Sequence, residues 1–121
     1  MNIEEIRAYC LMKKAVTEGF PFDETTLVFK VMGKMFALTA LEKDPSINLK
    51  CDPEKAIELR AHYSAVLPGY HMNKRLWNTV MIDGSISDKL IKEWIDDSYR
   101  LIVENLPKKD RESLILLRPK I

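Results

Sequence analysis

Apolar residues recur along this chain with two different periods, and the changes of period mark the elements. From residue 3 to 14, Ile3, Ile6 and Cys10 keep helical spacing with Tyr9 beside them; Glu4 and Glu5 fall in the first turn and Asn2 stands at the N-cap. Residues 16 to 24 lose that period, contain Gly19 and Pro21, and read as a loop whose Phe20-Pro21-Phe22 segment plugs the edge of the core. From Thr25 to Val31 the period falls to two, with Leu27, Phe29 and Val31 on one side and Val28 and Lys30 on the other. Met32-Gly33-Lys34 is a short turn, and Met35 to Leu41 returns as the second arm of a hairpin. After a charged turn, Glu42 to Pro45, a third strand runs from Ser46 to Cys51, with Ile47, Leu49 and Cys51 inward and Asn48 and Lys50 outward.

Asp52-Pro53 opens a second helix: the carboxylate caps free amides, and proline at the first helical position lacks an N–H that would have no partner. Ala56, Leu59 and Tyr63 mark its inner face, and Leu67-Pro68-Gly69 ends the passage. Trp77, Thr79 and Met81 alternate with Asn78, Val80 and Ile82, a strand with both faces partly apolar, closed by Asp83-Gly84. Ser87 caps the last long helix, which reaches to about Leu106 before Pro107 stops it. Its dense apolar set, Leu90, Ile91, Trp94, Ile95, Leu101 and Ile102, makes it the main helix on the sheet. This order predicts an α+β fold, an antiparallel sheet with helices packed on one face. The uncovered face would carry Lys30, Thr39, Asn48, Lys50 and Asn78. The tail is charged apart from Leu114 to Leu117, four adjacent apolar residues that predict docking on this domain or on a second copy.

Composition narrows this picture only a little. A length of 121 residues suits one domain, and 46% hydrophobic with 31% charged residues fits a globular chain rather than a disordered one. The net charge of +1 offers no global attraction to nucleic acid or anionic membrane, so any such binding needs a local patch. Cys10 and Cys51 lie outside any C-x-x-C or Cys/His pattern. The acidic N-terminus lacks an apolar signal region, and no apolar run reaches the roughly 18 residues of a membrane span. The expectation is a cytoplasmic protein with reduced thiols and no membrane partner.

Candidate chemistry concentrates between Gly69 and Gly84, GYHMNKRLWNTVMIDG. His71 lies near Tyr70, Asn73 and Lys74, so a general base is conceivable; no G-x-S-x-G nucleophile accompanies it, and His62 reads as helix surface. The four glycines form no phosphate-binding loop. Asp96-Asp97 and Glu4-Glu5 are neighbours on helices, where adjacent residues do not share a face, so no metal or cofactor is expected. Lys74 and Arg75, with Asn73 and His71, could meet phosphates while Tyr70 or Trp77 stacks on a base. Against that stands the plainer reading, in which the aromatics are core anchors and the cations ordinary turn charges.

Four stretches in order, FPFDETTLVFKVMGKMFAL, INLKCDPE, PGYHMNKRLWNTV and DGSISDKLIKEWIDDSY, resemble the MmcQ/YjbR family from about Met1 to Lys109. The resemblance implies a YjbR-like domain over 1–109, followed by a tail over 110–121. It also implies a frataxin-like (CyaY-like) arrangement and a DNA-binding role through a double-wing motif. The matching positions are Lys30, Lys34, Asn48, Lys50, Tyr70, His71, Met72, Asn73, Lys74, Trp77 and Asn78. Frataxin-like iron binding does not carry over, because the first helix has only Glu4 and Glu5 as carboxylates.

Two readings of function follow. The first is a non-enzymatic DNA-binding module, with the Gly33 hairpin and the loop at Asn73 to Arg75 as wings. Lys30, Lys34, Lys50, Lys74 and Arg75 then meet phosphates beside His71 and Asn73. The alternative is a small-ligand or protein-binding scaffold built on Asn48, Tyr70, His71, Trp77 and Asn78. A monomer is the default, and the Leu114–Leu117 run leaves a homodimer open.

Overall fold

The computed structural model describes residues 1–42 and 44–117. Residue 43 of the charged turn and residues 118–121 of the tail lie outside the described residues. The Asn2 side chain accepts the Glu5 amide at 2.8 Å, and the Glu5 carboxylate accepts the Asn2 amide at 3.1 Å. This capping box starts α1 (Ile3–Leu11), which ends three residues short of the expected position. Ala15 then takes a left-handed φ of 60° and turns the chain into β1 (Val16–Gly19). The loop expected from residue 16 is therefore a strand over its first four residues. With one buried apolar side chain and a glycine it shows no alternation; it is a strand because β2 (Thr26–Val31) offers a free edge, with Val16 opposite Val31.

β2 turns into β3 (Lys34–Ala40) through two residues only, Met32 at φ 48° and Gly33 at φ 82°. Positive φ at both central positions is the turn whose twist matches a right-handed strand pair. β4 (Ser46–Lys50) completes the expected meander. Asp52 Oδ2 accepts the amides of Glu54 and Lys55 at 3.2 and 3.3 Å, starting α2 (Pro53–His62) with proline inside its first turn. A three-residue strand, β5 (Val66–Pro68), then pairs with β6 (Trp77–Met81); it is too short to show a period in sequence. Ser87 Oγ accepts the Leu90 amide at 3.2 Å and opens α3 (Asp88–Glu104). Past Pro107 the tail forms another helix, α4 (Lys108–Leu116). Only Leu114 of its apolar run is buried; Ile115, Leu116 and Leu117 stay exposed, so the run does not dock as a unit on this domain.

The six strands form one antiparallel sheet in the order β1-β2-β3-β4-β6-β5. The helices and sheet enclose one main core that includes Ile6, Phe29, Phe36, Ile47, Val80, Ile91 and Ile95. The architecture is α+β, as expected. Register assigns the faces: Leu27, Thr39, Ile47, Val80 and Val66 are cross-strand partners, as are Phe29, Ala37, Leu49, Asn78 and Pro68. Thr39 and Asn78 therefore sit on the core face and are buried, not on the open face where alternation alone placed them. The reason for Thr39 is an irregularity between the two strands. Phe29 faces Ala37 while Lys30 faces Met35, so Phe36 is an extra residue in β3 and the alternation there shifts by one. For Asn78, the partners are polar: Nδ2 donates to the Ala56 carbonyl at 3.3 Å and Oδ1 accepts from Arg60 at 3.2 Å.

The bulge is held from the helix side. Ser98 of α3, fully buried, donates from Oγ to the Phe36 carbonyl at 2.6 Å and accepts the Lys50 amide at 2.8 Å. The Phe36 ring meets Tyr99 edge-on, 5.3 Å between centroids. One serine thus ties the long helix to β3 and β4 together. The opposite face carries its own small apolar cluster, in which buried Val28, Leu38 and Trp77 pack with Met35, Met72 and Leu76. Trp77 is a buried anchor, but of this second cluster rather than of the main core. Among the described residues, no helix is long and apolar enough to cross a membrane.

Candidate nucleic-acid interface

β2, β3 and β4 each contain a lysine, none of β2 to β6 contains a carboxylate, and residues 59 to 82 contain no carboxylate either. The fold turns this composition into a place. Lys30 faces Met35 and Lys50 faces Trp77, while Leu49 faces Ala37, so Lys30, Met35, Lys50 and Trp77 form a row across β2, β3, β4 and β6 on the open face. Lys30 and Lys50 are separated by one intervening strand, about 10 Å. Lys34, opposite Val31, belongs to the other face by register but is exposed at the hairpin tip, and Lys74 and Arg75 immediately precede β6 at the same end of the sheet. The Cys51 amide donates to the Leu76 carbonyl at 2.8 Å, which extends the pairing and holds Arg75 beside the end of β4. Arg7, Lys13, Lys55 and Arg100 are each paired with a carboxylate. Among the described residues no ion pair takes up Lys30, Lys34, Lys50, Lys74 or Arg75. All five expected phosphate contacts therefore gather at one end of the sheet, with Lys30 and Lys50 on its open face.

Two of the polar residues expected there also have work within the loop. The Lys74 ammonium donates to the Gly69 carbonyl at 3.1 Å, and the Asn73 carboxamide accepts the Arg75 amide at 3.0 Å, fixing the turn into β6. Arg60, which the sequence did not single out, donates to the Lys74 carbonyl at 2.7 Å and so ties α2 to this loop. Gly69 lies so close to β6 that an added Cβ would stand 2.8 Å from both Trp77 Cβ and Trp77 O. That approach lets the Gly69 amide donate to the Trp77 carbonyl at 2.9 Å.

Toward the other end of the same face lies a cleft of about 580 Å³. Its floor comes from Thr26, Leu38, Ala40, Ser46 and Asn48; Phe22 and Asp23 rise on the β2 side, and Tyr70 and His71 come from the β5–β6 connection. Thr79 Oγ1 accepts the Tyr70 amide at 2.9 Å and donates to Asn48 Oδ1. The Asn48 carboxamide is thereby oriented with its Nδ2 donors left for the cleft. The Tyr70 ring is 68% exposed and lies against His71, 4.0 Å between centroids and tilted by 52°. His71 holds a left-handed φ of 59°, an uncommon conformation for a residue with a side chain. Asp23 is occupied by its own turn: the Thr25 amide first, then the Thr26 hydroxyl, hold its carboxyl below the usual carboxylate range. Of the residues expected to bind a small ligand, the cleft brings together Asn48, Tyr70 and His71; Trp77 and Asn78 lie elsewhere. Phe22, Asp23, Thr26 and Ser46 escaped notice, although an aspartate two residues before a threonine pair is the sequence mark of a side-chain-capped turn.

The arrangement can hold anions at one end and a ring with a polar edge at the other. Among the described residues no hydrogen bond orients the His71 imidazole, whose ring packs on Tyr70. Among the described residues no three His, Cys, Asp or Glu side chains come together to hold a metal ion.

Comparison with known proteins gives the lineage. The protein YjbR of Escherichia coli K12, itself described as uncharacterized, is 36% identical over 118 residues, covering 97% of this chain and all of that one. YbdF of Escherichia coli O157:H7, likewise uncharacterized, is 42% identical over 94 residues, 77% of each chain. The crystal structure of Deinococcus radiodurans DR2400, with a DUF419 domain, superposes with a TM-score of 0.87 at 39% identity, covering 96% of this chain and 89% of that one. A crystal structure from Pseudomonas syringae gives a TM-score of 0.74 at 28% identity, over 84% and 98% of the two chains. The YjbR family model matches residues 11–101, and with these relatives it establishes that the chain belongs to the YjbR family.

Proposed function

We propose that this protein binds the phosphate backbone of DNA, without catalysis, through the cationic end of its sheet. One observation carries the reading: strands free of carboxylates bring Lys30, Lys34 and Lys50, and the loop before β6 brings Lys74 and Arg75, none ion-paired among the described residues, to one end of the sheet. In a chain with a net charge of +1 these five form a local cationic group where phosphates could meet them. The contacts are to backbone, so they give affinity and orientation rather than sequence preference.

The test is fluorescence anisotropy with a labelled duplex between 50 and 200 mM salt. Five phosphate contacts predict a slope of log K against log salt near −4.5, a loss of several hundredfold across that range. Lys34→Ala combined with Arg75→Ala is expected to weaken all duplexes alike and to reduce the slope by about two. No binding at 50 mM salt, or a double variant that binds as the parent does, rejects the proposal. The cleft favours a second reading, a small ligand held without DNA, for which binding would be insensitive to that double substitution.

A further inference from the structure

The cleft and the cationic row share one face and one strand. Asn48 and Lys50 are two residues apart on β4 and point to the same side, about 7 Å along the strand. Within this distance the surface changes from one suited to phosphate to one suited to a base. Tyr70 offers an exposed ring face, fixed at its amide by Thr79 and backed by His71. Asn48 offers donors, because its oxygen is already taken by the Thr79 hydroxyl. Glu42, at the rim, offers acceptors. The cleft thus brings together an exposed aromatic ring, amide donors and carboxylate acceptors, the group types that bind a nucleobase by stacking and by its hydrogen-bonding edge. A base paired within a duplex presents that edge to its partner, so the site requires an unpaired one.

We infer that the cleft takes one unstacked base of a single-stranded nucleic acid, stacked on Tyr70 with its edge toward Asn48, while Lys50 and its neighbours hold the adjoining phosphates. This rests on the backbone-binding reading above and adds the strand state that the face selects. Charge separation supports the polarity: the carboxylates of Asp23 and Glu42 lie at the base end, away from the phosphate path. Asp23 is turned onto the amides and hydroxyls of Thr25 and Thr26, which keeps its charge from facing the strand directly.

The experiment compares a labelled single strand with its own duplex, at matched salt concentrations between about 50 and 200 mM, for the parent, Tyr70→Ala and Tyr70→Phe. Tyr70 is mostly exposed, so both variants are expected to unfold at the parental temperature. The single strand should bind more tightly than the duplex. Tyr70→Ala should cost the strand about fivefold to a hundredfold while leaving duplex affinity and salt slope unchanged, and Tyr70→Phe should retain the advantage. Equal binding of strand and duplex, with Tyr70→Ala without effect on either, overturns the inference and leaves the backbone reading standing. Binding of neither polymer at 50 mM salt rejects both. Full displacement of the strand by an uncharged nucleoside at equal concentration overturns the single-strand assignment and makes a free base the occupant.

Discussion

Ser98→Ala removes one oxygen atom and should be among the costliest small substitutions in the chain. The hydroxyl is fully buried on α3, donates to the Phe36 carbonyl at 2.6 Å and accepts the Lys50 amide at 2.8 Å. Both partners are backbone groups, and the bulge takes the Phe36 carbonyl out of the regular ladder. Alanine would fill nearly the same volume, so little cavity energy enters. What is lost is the pairing of one donor and one acceptor, each costing about 1–3 kcal/mol when left unsatisfied in the interior. Part of that is recovered if the backbone shifts toward water, which gives an expected loss of about 2–4 kcal/mol. Against a typical domain stability of about 5–15 kcal/mol this is a large share. With a urea slope of about 1.5 kcal/mol/M, the unfolding midpoint should fall by roughly 2 M at constant slope. Ser113→Ala, on exposed α4, is the control and should stay within about 0.5 kcal/mol of the parent. A Ser98→Ala midpoint as close to the parent as that control would refute the argument that this hydroxyl holds the bulge.

Three further outcomes are expected. Gly69→Ala places a Cβ 2.8 Å from backbone and Cβ atoms of Trp77, so overpacking should cost about 1–3 kcal/mol in urea unfolding, more than Gly33→Ala, whose added Cβ meets nothing and pays only for a left-handed φ. Asn78→Ala removes the partner of both Arg60 and the Ala56 carbonyl, and should lower stability by about 1–2 kcal/mol and speed amide exchange in α2. The pH dependence has two limbs. Glu18, held low chiefly by its hydrogen bond from Arg7, and Asp23 and Asp83, held low by local hydrogen bonds, stabilise the fold fully above about pH 5, and that contribution disappears as pH falls through their lowered values. Burial pushes the Cys10 thiol up to about 12, and burial with the Asp96 hydrogen bond pushes the Tyr9 phenol up to about 12. The folded state keeps both protons that the unfolded chain releases, so melting temperature should fall from about pH 9 upward, and Cys10→Ala should flatten part of that fall. A melting temperature that does not change between pH 8 and 11 would contradict this assignment.

The sequence by itself determined the elements whose own side chains carry their reason. The capping box at Asn2, Asp52 before Pro53 and Ser87 before a dense apolar stripe fixed helix starts, because caps and the residues they serve are adjacent in the chain. Period-two alternation likewise marked β2, β3, β4 and β6. It also supplied the cations of the candidate interface, whose residue types are visible without a fold. Only the tertiary structure decided what depends on a partner far along the chain. β1 and β5 are strands because β2 and β6 offer edges to them. Thr39 and Asn78 are buried because a one-residue bulge and a polar partner on α2 override alternation. Ser98 was the legible exception that went unread: a serine at i+3 from Ile95 and i+4 from Trp94, within the apolar stripe of a long helix, implies a buried polar partner. The cleft had no signature of its own. Phe22, Asn48 and Tyr70 are separated by more than twenty residues each, and hydrogen bonding through Thr79 and the order of the strands bring them together. Local chemistry is written in neighbouring residues; a site assembled across strands exists only once register has been set.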